Sequence, residues 1–499
     1  MALLTALLAA ACGTTVPQTT TINGSQQGLG ASTVAGSDGT AGASGTTGGA
    51  GSTSGQSTGS SASTGLTGGS SSTGTPGTTG STTSTNGLPE AGSTGSAPVA
   101  RKGAPVEVGF EYATGVTEFA QALGISADVG DGSQQAKAIV DWANAHGGLA
   151  GHPIKPVFYA LDLTRTDPYA QFMAEMCTLW TEDHHVVAAF AYANADFSPV
   201  AHCLTQHHAV FSSYAAYSRD HRDFASNRNW VETSTLSSER LAALQLSSLG
   251  QQGFFKGQSK VGILAYDYEA AARLSDLLVA GLQRQGITAT VYKVHYGGST
   301  PELSGTISSV QSAVLRFRSE NIQRVMSAAY PGAMGFFMRY ADSQGYQPLY
   351  GLTSYDGLGA LPSNAPPKQL HGAVAVGWWP TADLVAADRP ALNTAGKVCR
   401  SAFKKAGVPA SQDPYSFGYC DETLSLQAAA RLLGPAALTG DALRAAFERL
   451  GTAYGSPSML ATAFTGSQHD GIARSQPLAF VDACTCWRAR GSSTPIPSR

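Results

Sequence analysis

The sequence predicts an α/β protein of two lobes, each built on a parallel sheet, joined by about three hinge crossings and preceded by a disordered linker. Three observations carry this expectation. A helix, a glycine-broken turn and a strand follow one another within Gly132–Asp162; two successive series of alternating helices and strands run from Pro105 to Leu349; and roughly the first hundred residues are almost devoid of charged and aromatic side chains.

The stretch GSQQAKAIVDWANAHGGLAGHPIKPVFYALD organises the chain. Ala136, Ile139, Val140 and Ala143 recur at the spacing of one buried helical face, with Gln135, Lys137, Asp141 and Asn144 opposite. His146-Gly147-Gly148 ends that helix, because glycine enters the left-handed C-cap conformation without steric penalty. Gly151 and Pro153 then release a strand, Ile154 to Ala160, ending at Asp162. With the earlier strand Val106 to Phe110 this makes a strand–helix–strand unit, which implies parallel pairing through a right-handed crossover.

The alternation continues. A helix near Pro168–Thr181 points Phe172, Met176, Leu179 and Trp180 inward, and strands at Val186–Phe190 and Ala209–Ser212 flank a helix at Pro199–His207. Tyr217–Asn229 is polar and lacks an apolar period, so it reads as a surface crossing. A second series follows: helix Ser238–Leu249, strand Lys260–Tyr266, helix Ala270–Gln285, strand Thr288–His295, a helix capped by Thr300-Pro301-Glu302, strand Gln323–Ala329, helix Met334–Gln344 and a strand near Leu349. The apolar run His371–Trp379 is expected to return to the first lobe, covered by helices near Leu392–Ala406, Asp421–Leu433 and Asp441–Leu450. Met459–Trp487 reads as a glycine-broken β-ribbon.

A helix, a Gly-Gly, a hydrophobic residue, a further Gly and a strand ending in Asp resemble the opening unit of the type I periplasmic binding proteins. The branched-chain amino-acid (leucine/isoleucine/valine-binding) group of ABC-transporter substrate-binding lipoproteins is the nearest likeness, and it covers nearly the whole chain beyond Pro105. The resemblance implies two Rossmann-like lobes closing on a small solute, a permease partner and a lipid anchor. The expected organisation is a signal peptide at 1–12, a linker at 13–104, a first lobe of 105–225 and 376–455, and a second lobe of 226–375 and 456–490.

The head supports that organisation. MALLTALLAAACG is apolar up to Cys12 and then abruptly polar, as at the end of a lipoprotein signal peptide, so Cys12 is the expected lipidation site. No Lys or Arg precedes the apolar run, and Ala9 stands where Leu is usual. Gly, Ser, Thr and Ala fill almost all of Gly13–Ala100, too little apolar surface to offset the entropy of ordering. Such a linker of about 90 residues spans roughly 50 Å on average and at most about 300 Å. It suits anchoring to the outer face of a thick-walled, Gram-positive cell.

A net charge of −3, a pI near 6.4 and scattered Lys and Arg argue against nucleic acid as a partner. Setting Cys12 aside, the 7 cysteines leave an even number, and parity in an exported chain suggests disulfides. Cys177 with Cys203, Cys399 with Cys420 and Cys484 with Cys486 are plausible pairs among many connectivities. A zinc site is the rival reading, but no C-x-x-C occurs.

No catalytic constellation is present: no nucleophile elbow outside the head, no phosphate-binding loop, no H-E-x-x-H. His202, Cys203, His207 and His208, with His184 and His185 upstream, suit a metal by chemistry but fit solvated helix ends better. No cofactor or metal is expected, and the chain is not expected to be an enzyme. Ligands in open α/β sheets sit beyond the carboxyl ends of the strands. The loops there read Glu111-Tyr112, Tyr192-Ala193-Asn194, Ser213-Tyr214-Ala215, Asp267-Tyr268-Glu269, Tyr330-Pro331 and Ser354-Tyr355-Asp356, with a tyrosine in every one. Tyrosine covers apolar ligand surface while its hydroxyl fixes a polar group. The candidate ligand residues are Tyr112, Asn194, Ser213, Tyr214, Tyr268, Tyr330 and Asp356. The resemblance places an amino-acid carboxylate at Ser213 and Tyr214, near Asn194, and aromatic residues at Tyr268 and Tyr330. The family has a Thr beside the first of these; SSYAAY has Ala215 or Ala216 there, which removes one grip on an α-amino acid. Trp378 and Trp379 are placed to wall the cleft or pack the hinge. The expected function is capture of a small polar or amphipathic solute, amino acid or amide-like, for an ABC importer. Alternatives are a sensor of the same fold and, third, an exported enzyme.

Overall fold

The computed structural model describes residues 103–122, 130–192, 196–214, 219–296, 302–328, 332–409, 417–433 and 438–497. In chain order the first part comprises β1 (Val106–Thr114), α1 (Val116–Ala122), α2 (Gly132–Ala145), β2 (Ile154–Asp162), α3 (Tyr169–Thr178), β3 (Ala188–Ala191), α4 (Ser198–Gln206), β4 (Val210–Ser213) and α5 (His221–Ser226). Next come α6 (Ser238–Gln251), β5 (Lys260–Tyr266), α7 (Glu269–Gln283), β6 (Thr288–Val294), α8 (Leu303–Ser319), β7 (Arg324–Ala328), α9 (Ala333–Ser343), β8 (Leu349–Thr353), α10 (Leu361–Asn364), β9 (Val374–Gly377) and α11 (Pro380–Asp383). Helices α12 (Thr394–Lys405), α13 (Gly418–Ala430) and α14 (Gly440–Leu450) precede β10 (Arg474–Val481), β11 (Cys486–Ala489) and β12 (Thr494–Pro495).

These strands form two sheets. The first has the order β2-β1-β3-β4 and is parallel throughout. The second has 8 strands along β11-β10-β9-β8-β7-β5-β6, with β12 beside β10; β5 to β9 are parallel and β10 and β11 antiparallel. The α/β architecture with parallel sheets is thus the one the sequence predicts.

Strand alternation splits the first lobe's core into two layers. Val108, Phe110, Ala188, Phe190 and Val210 face α2, α12, α13 and α14, whereas Val157, Tyr159, Ala189 and Phe211 face α3 and α4. Both faces of a parallel sheet are therefore covered, which explains the unbroken apolar runs. Ala136, Ile139, Val140 and Ala143 are buried as their spacing requires. One continuous core serves the second lobe, from Ile263 and Leu264 of β5 through Phe337 of α9 to Leu478 of β10.

Two sequence expectations need correction. His371–Trp379 does not return to the first sheet: β9 pairs in parallel with β8 and antiparallel with β10. An apolar run has the same composition whichever sheet receives it, and the chain crosses only afterwards, to α12 against α2. Nor is the Tyr217–Asn229 segment simply a surface passage. Its described part contains α5, and Arg219 and Asp220 are 0% and 2% exposed. Charge pairing permits this burial: Arg273 of α7 reaches both Asp220 and Asp223, and Arg219 lies 3.5 Å from Asp196 and stacks on Trp230 at 4.6 Å.

The cysteines fall into the pairs the sequence made plausible, with Sγ–Sγ distances of 1.93 Å for Cys177–Cys203, 2.00 Å for Cys399–Cys420 and 1.92 Å for Cys484–Cys486. Cys203 is thereby occupied, and the histidines around it find other partners: His207 faces Glu182, His208 faces Asp441 and His202 faces Asn227. The 300–301 cap and residues 1–102, Cys12 and nearly all the expected linker among them, lie outside the described residues.

The turn after α2 fixes where β2 begins. Gly148 has φ +58°, its N–H closes on the Ala143 carbonyl at 2.8 Å, and a Cβ there would stand 2.0 Å from the His152 carbonyl oxygen. Gly286 is equally left-handed, at φ +72°, but has nothing within 4 Å of that position. Left-handed alanine costs about 1–2 kcal/mol by itself. Gly286→Ala is therefore expected to cost about 1 kcal/mol, and Gly148→Ala at least twice as much, measured as the shift in urea unfolding midpoint; equal shifts would show that the His152 contact is not what shapes the turn.

Candidate functional site

Parallel pairing sends the carboxyl ends of β1, β3 and β4 to one edge of the first sheet. Tyr192 directly follows β3, and Ser213 and Tyr214 close β4. The Tyr192 N–H donates to Glu111 Oε2 at 2.6 Å, and the Tyr214 N–H donates to the Ala191 carbonyl at 2.8 Å, so both residues are held to the strand ends. Tyr419, in the first turn of α13, donates its hydroxyl to the Glu111 carbonyl at 3.0 Å. Its ring stacks on Tyr192 at 4.6 Å, Tyr192 stacks on Tyr214 at 6.0 Å, and Tyr214 meets Trp379 edge-on at 5.2 Å. Four rings thus run from the first lobe to the crossing after β9. Gly418 makes room for them, since a Cβ there would lie 2.1 Å from Tyr192 Cε2 and 3.0 Å from Tyr214 Cδ1.

A second aromatic group stands at the corresponding edge of the other sheet. Tyr266 ends β5, Tyr268 precedes α7 and Tyr296 follows β6; Tyr296 meets Tyr266 at 5.3 Å and Tyr268 at 5.6 Å, both edge-on. Asp267 fixes that corner by accepting the Tyr296 N–H at 2.9 Å and facing His295 Nδ1 at 3.0 Å. Tyr169 and Arg219 lie within electrostatic reach of this second group, through Tyr296 and Tyr268 respectively. Burial, followed by the neighbouring Tyr296 hydroxyl, holds the Tyr169 phenol well above its usual range. Burial opposes the charge of Arg219, yet Asp196 and Glu232, with Tyr268 and Asp223 beyond them, keep it ionised.

The other strand ends serve the frame. Tyr112 lies within β1, its half-buried ring 6.0 Å from Phe158 in a T-shaped contact. Ser213 donates to Glu232 Oε1 at 2.5 Å. Asp356 turns inward and caps its own turn, with Oδ2 accepting the Thr353 N–H at 2.8 Å. Burial pushes its carboxyl up to about 7. Asp383 behaves alike, pushed up to about 7 by burial while it accepts Ser354 Oγ at 2.7 Å and the Trp379 N–H at 3.0 Å. Trp378 meets Tyr355 edge-on at 4.9 Å, and Tyr355 Oη accepts the Leu236 N–H at 2.8 Å, which joins two crossings. Asn194 and Tyr330 lie outside the described residues.

Of the candidates named from sequence, the structure brings Tyr214 to one aromatic group and Tyr268 to the other, and it seats Tyr112 and Asp356 in packing or capping roles. Tyr419, Tyr296, Tyr169 and Arg219 were not singled out. Tyr296 carried a signal, since it follows a strand end; Tyr419 carried none, lying in a helix some two hundred residues from its partners. A groove of about 910 Å³ lies apart from the tyrosines, walled by α5, α6, α14 and the Thr465–Asp470 turn. Its acids are already engaged, Glu448 by Arg444 and His469 and Asp470 by Arg240. No group of three or more metal-ligating side chains occurs among the described residues, and no described helix is long and apolar enough to cross a membrane.

The fold agrees with what comparison finds. Solved structures with the same fold include a possible leucine/isoleucine/valine-binding protein from Rhodopirellula baltica, at 13% identity and TM-score 0.56 over 79% of this chain and 98% of that one. An ABC transporter substrate-binding protein from Desulfitobacterium hafniense in complex with Leu matches at 15% identity and TM-score 0.53, over 77% and 99% of the two chains. A branched-chain amino-acid ABC transporter protein from Thermus thermophilus with bound valine matches at 13% identity and TM-score 0.56, over 79% and 97%. No curated protein matches by sequence. The profile of the periplasmic binding protein family matches residues 120–483, most of the folded chain, and the protein is therefore a member of that family.

Proposed function

We propose that the protein is the extracytoplasmic solute-binding component of an ABC importer and takes its solute between the tyrosine-lined strand edges of the two lobes. The observation that carries this reading is the pair of aromatic groups, Tyr192, Tyr214 and Tyr419 on one lobe and Tyr266, Tyr268 and Tyr296 on the other. Closure about the crossings lets one small molecule contact both lobes, and contacts made to both stabilise the closed form. Family membership supports the same role. The lobes are taken as 105–225 with 378–455 and 226–377 with 456–490, the boundary expected at 376 moving past β9 because that strand pairs in the second sheet.

The solute fits the class small, polar or amphipathic, and amino-acid or amide-like. Two of the similar structures hold leucine and valine, so these head the test panel for this chain. Tyr214 and Tyr268, joined by Asn194 and Tyr330 from outside the described residues, are the contacts proposed, while Ser213, its hydroxyl given to Glu232, holds the strand end beside them. Cys12 is the proposed lipid anchor and residues 13–104 the tether to the membrane's outer face, in keeping with a Gram-positive cell.

Thermal-shift screening of the full chain against amino acids, short amides, urea, polyamines, sugars and aromatic acids tests this reading. A ligand of the native state at a hundredfold excess over Kd adds about 2.7 kcal/mol. A shift with one chemical class is expected; none across the panel would remove the importer reading. Against the solute so found, Tyr268→Ala is expected to weaken binding more than tenfold, about 1.4 kcal/mol, with the ligand-free melting temperature nearly unchanged. Unaltered affinity would move the site away from this edge.

An exported protein also keeps its cysteines oxidised. We expect thiol titration of the lipidated protein under denaturing, non-reducing conditions to find no free thiol, six cysteines being paired and the sulfur of Cys12 carrying the lipid. Two or more free thiols would place the protein in a reducing compartment.

A further inference from the structure

Three carboxyl groups gather where two of the crossings meet α13, and none faces water. Glu232, on the first crossing, is 1% exposed, and Asp421 and Glu422, near the start of α13, are 0% and 2%. Hydroxyls and one indole serve them. Asp421 accepts Tyr454 Oη and Ser456 Oγ from the third crossing, each at 2.5 Å. Glu422 accepts Thr233 Oγ1 from the first crossing at 3.1 Å, and Glu232 accepts Ser213 Oγ at 2.5 Å and Trp230 Nε1 at 2.8 Å. α13, the end of β4, the first crossing and the third are thereby tied at one buried point.

Charge balance at that point is poor. The titratable groups facing the cluster are Tyr454 from the third crossing, with Tyr214 behind it, and Arg219 from the first crossing region. Arg219 is the cation that acts on Glu232, and it is shared with Asp196. With all three acids ionised, at least two buried negative charges would have no counter-charge, a cost of several kcal/mol per ion. The cluster therefore keeps protons: burial pushes Asp421 up to about 7, and burial, with Asp421 and Glu232 adding repulsion, holds Glu422 well above the usual carboxylate range.

We propose that Asp421, Glu422 and Glu232 form a proton-operated latch on the hinge: protonated, the cluster ties the first and third crossings to α13, and deprotonated, mutual repulsion loosens both crossings and lets the lobes part. This rests on the solute-binding reading, to which it adds that capture is favoured on the acid side of neutrality and release on the alkaline side. The sign follows from proton linkage. A carboxyl whose folded-state pKa is raised binds more protons folded than unfolded between its ordinary value and the raised one, so the tied form weakens as pH climbs toward and past neutrality.

Trp230, Trp378 and Trp379, each 1% exposed or less, lie on the first and second crossings and report the latch without any solute. Acrylamide quenching of tryptophan fluorescence in the solute-free full chain is expected to rise by half or more between pH 5.5 and 8.5, as one step, while far-UV circular dichroism stays constant. Asp421→Asn and Glu422→Gln should each abolish most of that step and keep quenching at its acid-side level. A flat wild-type profile overturns the proposal, as does a step of unchanged size in both variants; should one variant fail to fold, the other and the wild-type titration decide. Because no solute is present, an empty solute screen would remove the importer reading and leave the step standing, whereas a solute shift alongside a flat quenching profile would remove the latch alone.

Discussion

Parallel strand pairing is the constraint from which the rest follows. A parallel neighbour cannot be reached by a tight turn, so every strand of β2-β1-β3-β4 and of β5 to β9 is entered from the same edge and left at the opposite one. The exits are where backbone polar groups run out of ladder partners and side chains become available for other work. Tyr192 and Tyr214 at one set of exits, and Tyr266, Tyr268 and Tyr296 at the other, are where they are because strands β3, β4, β5 and β6 all run the same way within their sheets. The antiparallel ribbon β10–β11 extends the second sheet past β9 and adds no exit of that kind beside these tyrosines.

Joining two such sheets by several passages of chain obliges polar backbone to go underground, and the hinge shows how that is made tolerable. Arg240, 5% exposed, meets Asp470 at 2.9 Å and donates to the carbonyls of Asp470 and Ile472. Arg273 gathers Asp220, Asp223 and Glu269. Where a cation is at hand the acids are paired; where none is, as at Asp356, Asp383 and Asp421, hydroxyls and backbone N–H groups stand in and the carboxyl holds its proton to about neutrality. Buried polar networks of this kind contribute little to net stability but are costly to leave half satisfied, which specifies one arrangement of the crossings.

Local periodicity is why so much of the fold could be read from the chain. Ala136, Ile139, Val140 and Ala143 announce their helix within eight residues, and Gly147-Gly148 announce its end; no partner elsewhere is needed to decode either. Residues whose meaning depends on a distant partner were opaque. Tyr419 becomes part of an aromatic stack only because α13 folds back on β3, and Gly418 matters only because two rings lie over it. The destination of His371–Trp379 was misread for a related reason: apolar content shows that a strand will be buried, and says nothing of which sheet buries it. Arg219 and Asp220 looked like surface residues because burial of charge is visible only with its counter-charge, and Arg273 lies some fifty residues on.

The two aromatic groups are packed differently, one nearly parallel and the other edge-on. Tyr192 packs against both Tyr419 and Tyr214, nearly parallel to them at 28° and 17°. Tyr192 is half-buried, and a tyrosine there joins an apolar ring to a hydroxyl that fixes a polar group. On the other lobe the contacts of Tyr296 with Tyr266 and Tyr268 are steep, at 73° and 66°, and Tyr266 is itself buried. In the proposed role both lobes bring tyrosine rings and hydroxyls to the solute, apolar surface and polar groups together. A solute with a polar head and a short apolar body satisfies both lobes at once, and only such a solute rewards their closing together.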